Sequence, residues 1–347
     1  MRKILVAFLI TGFVSSWAAD AAPEVPPAEQ PAEAAPEAPK EAVDVLALIH
    51  EFAKPKGITP ETVGAGGFRA VLLGTPSTPE LEKFVQMGCD ALTRLEVWTG
   101  RPKVFVAAPG SPQTLRYMVL IKDEGVFNEW VDFGRSKGVI KPPEASGDLA
   151  KKLKGFAMPG AMISTADRLA NIGGNFAVYS AACVSLDQIA AAQGRRRLPA
   201  WLREGLSSEL QRAIAGAPRC TTISYQASDT KESNTENWMA DVKVILRETK
   251  PGGRALTAEQ VVNSSTDMIS GSTYRQMWSV CTFLRVISEG KGKTKGKNGN
   301  PLWSVIESTA KDGVSMPAIT AAYGIKPAEF DAAWRSWANT AKAPATK

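Results

Sequence analysis

The chain has 347 residues, 44% of them hydrophobic, with 41 basic and 35 acidic side chains and a formal net charge of +6. That apolar fraction supports a substantial core and excludes a chain disordered throughout, while so mild a charge does not point to nucleic acid. Only one histidine is present, His50.

Residues 1–21 read as a secretory signal. Arg2 and Lys3 precede the apolar run Ile4 to Val14, and small residues follow at Ser16, Ala18, Ala19 and Ala21, any of the last three of which suits cleavage. The run has 11 residues, too few for a permanent membrane-spanning helix, so the expected product has no transmembrane anchor and lies in the periplasm or outside the cell. Removing Arg2 and Lys3 leaves 39 basic residues against 35 acidic ones, a net charge of +4. Residues 22–42 are mostly Ala, Pro and Glu and cannot bury a core, so they form an extended spacer. Cys89, Cys183, Cys220 and Cys281 are compatible with disulfides in an oxidising compartment; the spacing selects none of the three pairings and contains no CxxC.

The periodicity then predicts an α+β chain. A helix is expected over Val43 to Phe52; it carries His50-Glu51, but Lys54-Pro55 follow where a second ligand would stand, so His50 is a surface or partly packed residue. Phe68 to Leu73 and Lys103 to Ala108 read as strands, with a helix over Pro79 to Leu95 between them. After the turn PGSP, Leu115 to Leu120 reads as helical, and Gly125 to Gly138 as an amphipathic helix or a loop packed on the sheet. Phe156 to Thr165 and Asn175 to Tyr179 are expected as sheet edges, so that 43–175 holds a small mixed sheet with helices.

Residues 176–345 read as mainly helical. Ser180 to Gln193 is a buried helix stopped by Gly194, and Arg195 to Arg197 connect it to a second helix, Leu198 to Leu210. Further on, Ile223 to Trp238 is polar, Asp241 to Leu246 alternates briefly, and a PGG turn occupies 251–253. Tyr274 to Ile287 is a strongly apolar helix, and Gly290 to Asn300 is a solvated loop with four lysines. Pro301 to Thr309 and Lys326 to Ala338 close the chain as helices, the latter with Phe330, Trp334 and Trp337 on one face.

Within Leu198 to Leu210, LPAWLREGLSSEL, the residues Leu198, Trp201, Leu202, Leu206 and Leu210 form an apolar face with Pro199 in the first turn. Leu198, Pro199, Trp201, Leu202, Glu204, Gly205 and Leu206 resemble the LPxWLxEGLA segment of gluzincin-type zinc metallopeptidases, the peptidase MA-like group. In that group the Glu before Gly is the third zinc ligand, which implies this role's position for Glu204. The other two ligands and the general base come from an upstream HExxH. With one histidine the chain has no HExxH. Counting back places the ligand positions near Cys183 and Asp187 and the base position near Val184.

The resemblance therefore implies a degenerate member, with Glu204 a relic held by a hydrogen bond or by a basic neighbour such as Arg203 or Arg195 to Arg197, and with no cofactor. An alternative has Cys183 and Asp187, four apart and hence on one helix face, join Glu204 to bind zinc; Val184 would then leave it without a base. A serine nucleophile at Ser207 or Ser208 is disfavoured, since no histidine or GxSxG elbow accompanies it. The expected role is that of an exported, catalytically inactive binding or scaffold protein, taking an extended peptide or envelope component in the cleft.

Overall fold

A computed structural model describes residues 44–74, 78–105, 115–140, 151, 154–166, 173–195, 197–219, 238–248, 253–264, 270–291 and 300–341. These belong to one compact unit. The signal and spacer readings (1–42), the PGSP turn, Arg196, Cys220, the polar stretch 223–237, 251–252 of the PGG turn and 292–299 of the lysine loop lie outside the described residues.

The unit is α+β, with a five-stranded mixed sheet in its N-terminal part and helices dominating thereafter. Helix α1 (Val45–Ala53) is capped by the Asp44 side chain and runs into a short 3-10 turn, Lys54–Lys56. Strands β1 (Glu61–Ala65) and β2 (Phe68–Leu73) form an antiparallel hairpin through Gly66 and Gly67, both at positive φ as a two-residue turn requires. After α2 (Thr78–Thr99), β3 (Arg116–Ile121) pairs parallel to β2. Helix α3 (Glu124–Ser136) leads to β4 (Gly155–Met158) and β5 (Ala161–Thr165), giving the order β1-β2-β3-β5-β4 with β5 parallel to β3.

The two-residue period of the strands divides the core. Phe68, Ala70, Leu72, Met118, Leu120 and Met162 face the larger cluster, to which α2 also contributes. Val71, Leu73, Val119, Ile121 and Ile163 face the other way, towards α1 and α3, where Phe52 and Trp130 meet edge to face at 5.0 Å.

The helical part comprises α4 (Gly173–Ala192), α5 (Ala200–Ala215), α6 (Trp238–Leu246), α7 (Ala258–Val262), α8 (Gly271–Lys291), α9 (Pro301–Asp312), α10 (Ser315–Tyr323) and α11 (Pro327–Thr340). Helix α4 packs along α2 and α5, and α5 is covered on its other side by α8. The expected division between 175 and 176 falls inside α4, and the larger core runs from Phe68 and Met118 through Trp201 to Trp334. No helix among the described residues is long and apolar enough to cross a membrane.

Four expectations are corrected. Leu115 to Leu120 is not helical: Arg116–Ile121 is the central strand β3, buried on both faces, and such a strand reads as a continuous apolar run without alternation. Lys103 to Phe105 is turn and bend, with Lys103 at φ 67°; 106–108 lie outside the described residues. Asn175 to Tyr179 is no sheet edge but the opening of α4, where packing against α2 and α5 overrides the strand preference of Phe176, Val178 and Tyr179. Asp241 to Leu246 belongs to α6, its Val242, Ile245 and Leu246 spaced for a helix face.

Candidate functional site

Pro199 precedes the first turn of α5 in an extended conformation, and Gly216, at φ 86°, ends the helix. Every residue from Trp201 to Gln211 is buried, because α4 lies on one side and α8 on the other. Leu198, Trp201, Leu202 and Leu206 are core residues; Pro199 is half-buried. The Trp201 indole donates to Ser315 Oγ at 2.8 Å, tying the motif to α10. Gly205 faces Cys281 and the backbone of Met277 on α8, where no larger residue fits.

With no solvent face, the polar residues of α5 must find protein partners. On α4, Tyr179, Cys183 and Asp187 stand at four-residue intervals and therefore share one face. That face meets Arg203, Glu204 and Ser207. The Tyr179 hydroxyl lies 2.7 and 2.9 Å from the two Glu204 carboxylate oxygens, donating to the carboxylate. Arg203 Nη1 donates to Glu204 Oε1 at 2.8 Å, and Arg203 Nε lies 3.0 and 3.1 Å from the two Asp187 oxygens. One guanidinium thus joins both carboxylates. Cys183 Sγ is 3.1 Å from Ser207 Oγ, which donates to the Arg203 carbonyl at 2.7 Å. Glu204 is 1% exposed, whereas the Asp187 side chain, at 21%, forms the solvent end of the cluster.

The electrostatics follow from burial and from this one cation. Burial pushes the Cys183 thiol up to about 12, with Glu204 and Asp187 adding to the effect and Arg203 opposing it. Burial likewise raises Tyr179 well above its ordinary range and raises Asp187, although Arg203 and Arg197 counteract the latter. For Arg203 burial works against the charge, but the Asp187 and Glu204 carboxylates beside it outweigh that and hold the guanidinium protonated.

The residues brought together are those the motif implies, Cys183, Asp187 and Glu204, and they do not fit zinc. Both carboxylates engage a guanidinium, whose charge would repel a dication. Val184 at the base position is buried and apolar. Among the described residues no group of three or more His, Cys, Asp and Glu side chains is arranged to hold a metal ion. His50 lies exposed on α1. Ser207 and Ser208 are fully buried, Ser208 with its hydroxyl 2.6 Å from that of Tyr274.

Sequence reasoning assigned no role to Glu209, a second buried acid on α5. Its carboxylate accepts from Arg212 (2.5 and 2.9 Å), Arg285 (2.9 and 3.2 Å), the Trp278 indole (2.8 Å) and Thr282 (3.0 Å). Burial works to raise it, but the Arg212 hydrogen bonds and charge, with Arg285 and Thr282, hold it below its ordinary range. Arg285 also stacks on Trp98 of α2, 5.0 Å from the ring centroid. The sequence showed one apolar face and left Arg203, Glu204, Ser207, Ser208 and Glu209 off it; that this side is buried as well follows from the packing of α4 and α8. Tyr179 was hidden by the strand reading of its segment.

Cys89, Cys183 and Cys281 are free thiols, Cys89 donating to the Ala65 carbonyl at 3.2 Å. No family model matches the chain, and no curated protein sequence matches it.

Proposed function

We propose that the chain is an exported protein of gluzincin-like fold that performs no metal-dependent hydrolysis and acts by binding. The observation that carries this reading is the Arg203 guanidinium, which engages Asp187 and Glu204 where a hydrolase would need an ion with one open coordination position. The resemblance of Leu198 to Leu206 supports the fold; the buried, apolar Val184 supports the loss of turnover. An extended peptide or another envelope component is the class of ligand that the cleft of the resembled family would retain without its metal, because strand addition relies on backbone hydrogen bonds. Zinc on Cys183, Asp187 and Glu204 is disfavoured by the guanidinium that occupies both carboxylates.

The test is metal analysis of the purified protein followed by a peptide-digestion assay with and without chelator. Substoichiometric zinc and no chelator-sensitive cleavage are expected. Stoichiometric zinc with chelator-sensitive cleavage that Glu204→Ala abolishes would overturn the reading and restore the Cys183, Asp187 and Glu204 site. Export predicts a mature N-terminus between Ala19 and Ala22, which N-terminal sequencing reads directly.

A further inference from the structure

We infer that the solvent face of α2 is a docking surface for a second copy of this chain, which lays its own α2 antiparallel across it about a two-fold axis.

Gln86, Asp90, Thr93, Arg94 and Val97 are exposed and recur at three- and four-residue intervals, so they share one side of α2, away from the side that packs on α4 and the sheet. Asp90, Thr93, Arg94 and Val97, with Ala213 and Ile214 near the end of α5, line an open groove of about 450 Å³. Val97 is 71% exposed, more than any other large hydrophobic side chain among the described residues. Ala213 and Ile214 beside it are half-buried, so an apolar strip runs from one helix to the other.

The charges along this strip name its occupant. An acid one turn before an arginine stands in the favourable order for a pair within one helix. Asp90 Oδ1 instead accepts from Gln86 at 2.8 Å, and Arg94 has no hydrogen bond or ion pair among the described residues. Asp90 lies two positions before Leu92 and Arg94 two positions after it, so a two-fold axis crossing α2 at that level sets Asp90 of each copy opposite Arg94 of the other. A parallel arrangement in register would set acid against acid and arginine against arginine, and would align the helix dipoles unfavourably. The face is therefore complementary to itself, as an isologous contact requires, and this favours a copy of the same chain over a partner of other sequence. The antiparallel placement also covers Val97 of both copies and the flanking Ala213 and Ile214. Helix α2 has 22 residues and so offers about 33 Å of length for the contact.

The experiment follows the mass of the purified protein by sedimentation velocity over a concentration series. It compares the wild type with Asp90→Arg, Arg94→Asp, the two reversals combined, and Val97→Glu; Val244→Glu, at a valine 57% exposed on α6, is the control. Circular dichroism and melting temperature establish that each variant is folded. The wild type is expected to form a concentration-dependent dimer. Each single reversal puts like charges opposite each other at both symmetric contacts and should weaken the dimer at least about 10-fold, as should Val97→Glu. The combined reversal restores opposite charges and should return to within about threefold of the wild type. Val244→Glu should leave the dimer unchanged.

A wild type that stays monomeric throughout, a dimer indifferent to both single reversals, a combined reversal no tighter than the single ones, or a dimer lost on Val244→Glu would each overturn the inference. If Val97→Glu does not fold, the charge variants, all at exposed positions, decide the outcome.

Discussion

A Cβ built on Gly205 would lie 2.5 Å from Cys281 Sγ and 2.8 Å from the Met277 carbonyl oxygen, so this pair marks where α5 and α8 approach backbone to side chain without space for a methyl group. The glycine of the motif therefore has a packing reason that is independent of any metal. In an exposed helix Gly→Ala would gain up to about 1 kcal/mol of propensity. Here the methyl group meets a backbone oxygen that cannot move alone, and overpacking of about 1–3 kcal/mol outweighs that gain. Urea denaturation of Gly205→Ala should give a lower midpoint at unchanged slope; an unchanged or higher midpoint would refute the close approach.

Glu204 is 1% exposed and holds both Tyr179 and Arg203, so its loss leaves a buried cation and a buried hydroxyl short of an acceptor. Glu204→Ala should cost about 3–5 kcal/mol, as removal of one member of a buried ion pair does. Tyr179→Phe removes one hydrogen bond to a charged group and should cost about 1.5–3 kcal/mol. Because both substitutions break one network, the double variant should fall short of the sum by more than about 0.5 kcal/mol. Strict additivity in a double-mutant cycle would deny that they are coupled.

The pH dependence of stability should contain a contribution from Glu209. Its carboxyl is held below the ordinary 4.5, since the Arg212 and Arg285 partners outweigh burial. A depressed acid stabilises the fold above its unfolded value, and that stabilisation is lost as the pH falls through the folded value. Stability should therefore be flat from neutrality down to about 4.5 in this respect and decline below it. Glu209→Gln should destabilise at pH 7 yet remove part of the decline on the acid side. A parallel offset of the two curves at every pH would show that Glu209 does not titrate differently on folding.

The outline of the fold was legible wherever the hydrophobic period was clean. The helices over Pro79 to Leu95, Tyr274 to Ile287 and Lys326 to Ala338 correspond to α2, α8 and α11, and the hydrophobic face of Leu198 to Leu210 lies in the core. Legibility failed where an element is buried on every side. Arg116–Ile121 and Asn175 to Tyr179 were assigned each other's type, because a central parallel strand and a buried helix both read as apolar runs of similar composition. The cluster at Glu204 was partly readable, since four-residue spacing on α4 put Cys183 and Asp187 on one face. That Arg203 turns inward between the carboxylates is a tertiary result. So is the α8 arginine, Arg285, that Glu209 meets 76 positions further along the chain.

Cys183 should be inert in the native protein and costly to ionise. Burial is the main reason its thiol stands near 12 instead of 9.0, reinforced by Glu204 and Asp187 and only partly offset by Arg203 and by Ser207. At pH 8 a thiol of pKa 12 is ionised to about one part in 10⁴, and the thiolate is the reactive form. Alkylation at pH 8 should accordingly modify Cys183 only after unfolding, located by mass spectrometry of the peptide that contains it. The same displacement sets a sign for stability at high pH. A group whose folded value is raised stabilises fully below its unfolded value, and this is lost as the pH rises through the folded one. The Cys183 contribution is thus intact below 9.0 and disappears between 9.0 and about 12. Cys183→Ser keeps a small polar side chain 3.1 Å from Ser207 but does not titrate there, so its stability should fall less steeply than that of the wild type across this interval. Rapid native-state alkylation at Cys183, or identical alkaline slopes for the two proteins, would mean that the thiol reaches solvent and that the α4–α5 contact is looser than the geometry requires.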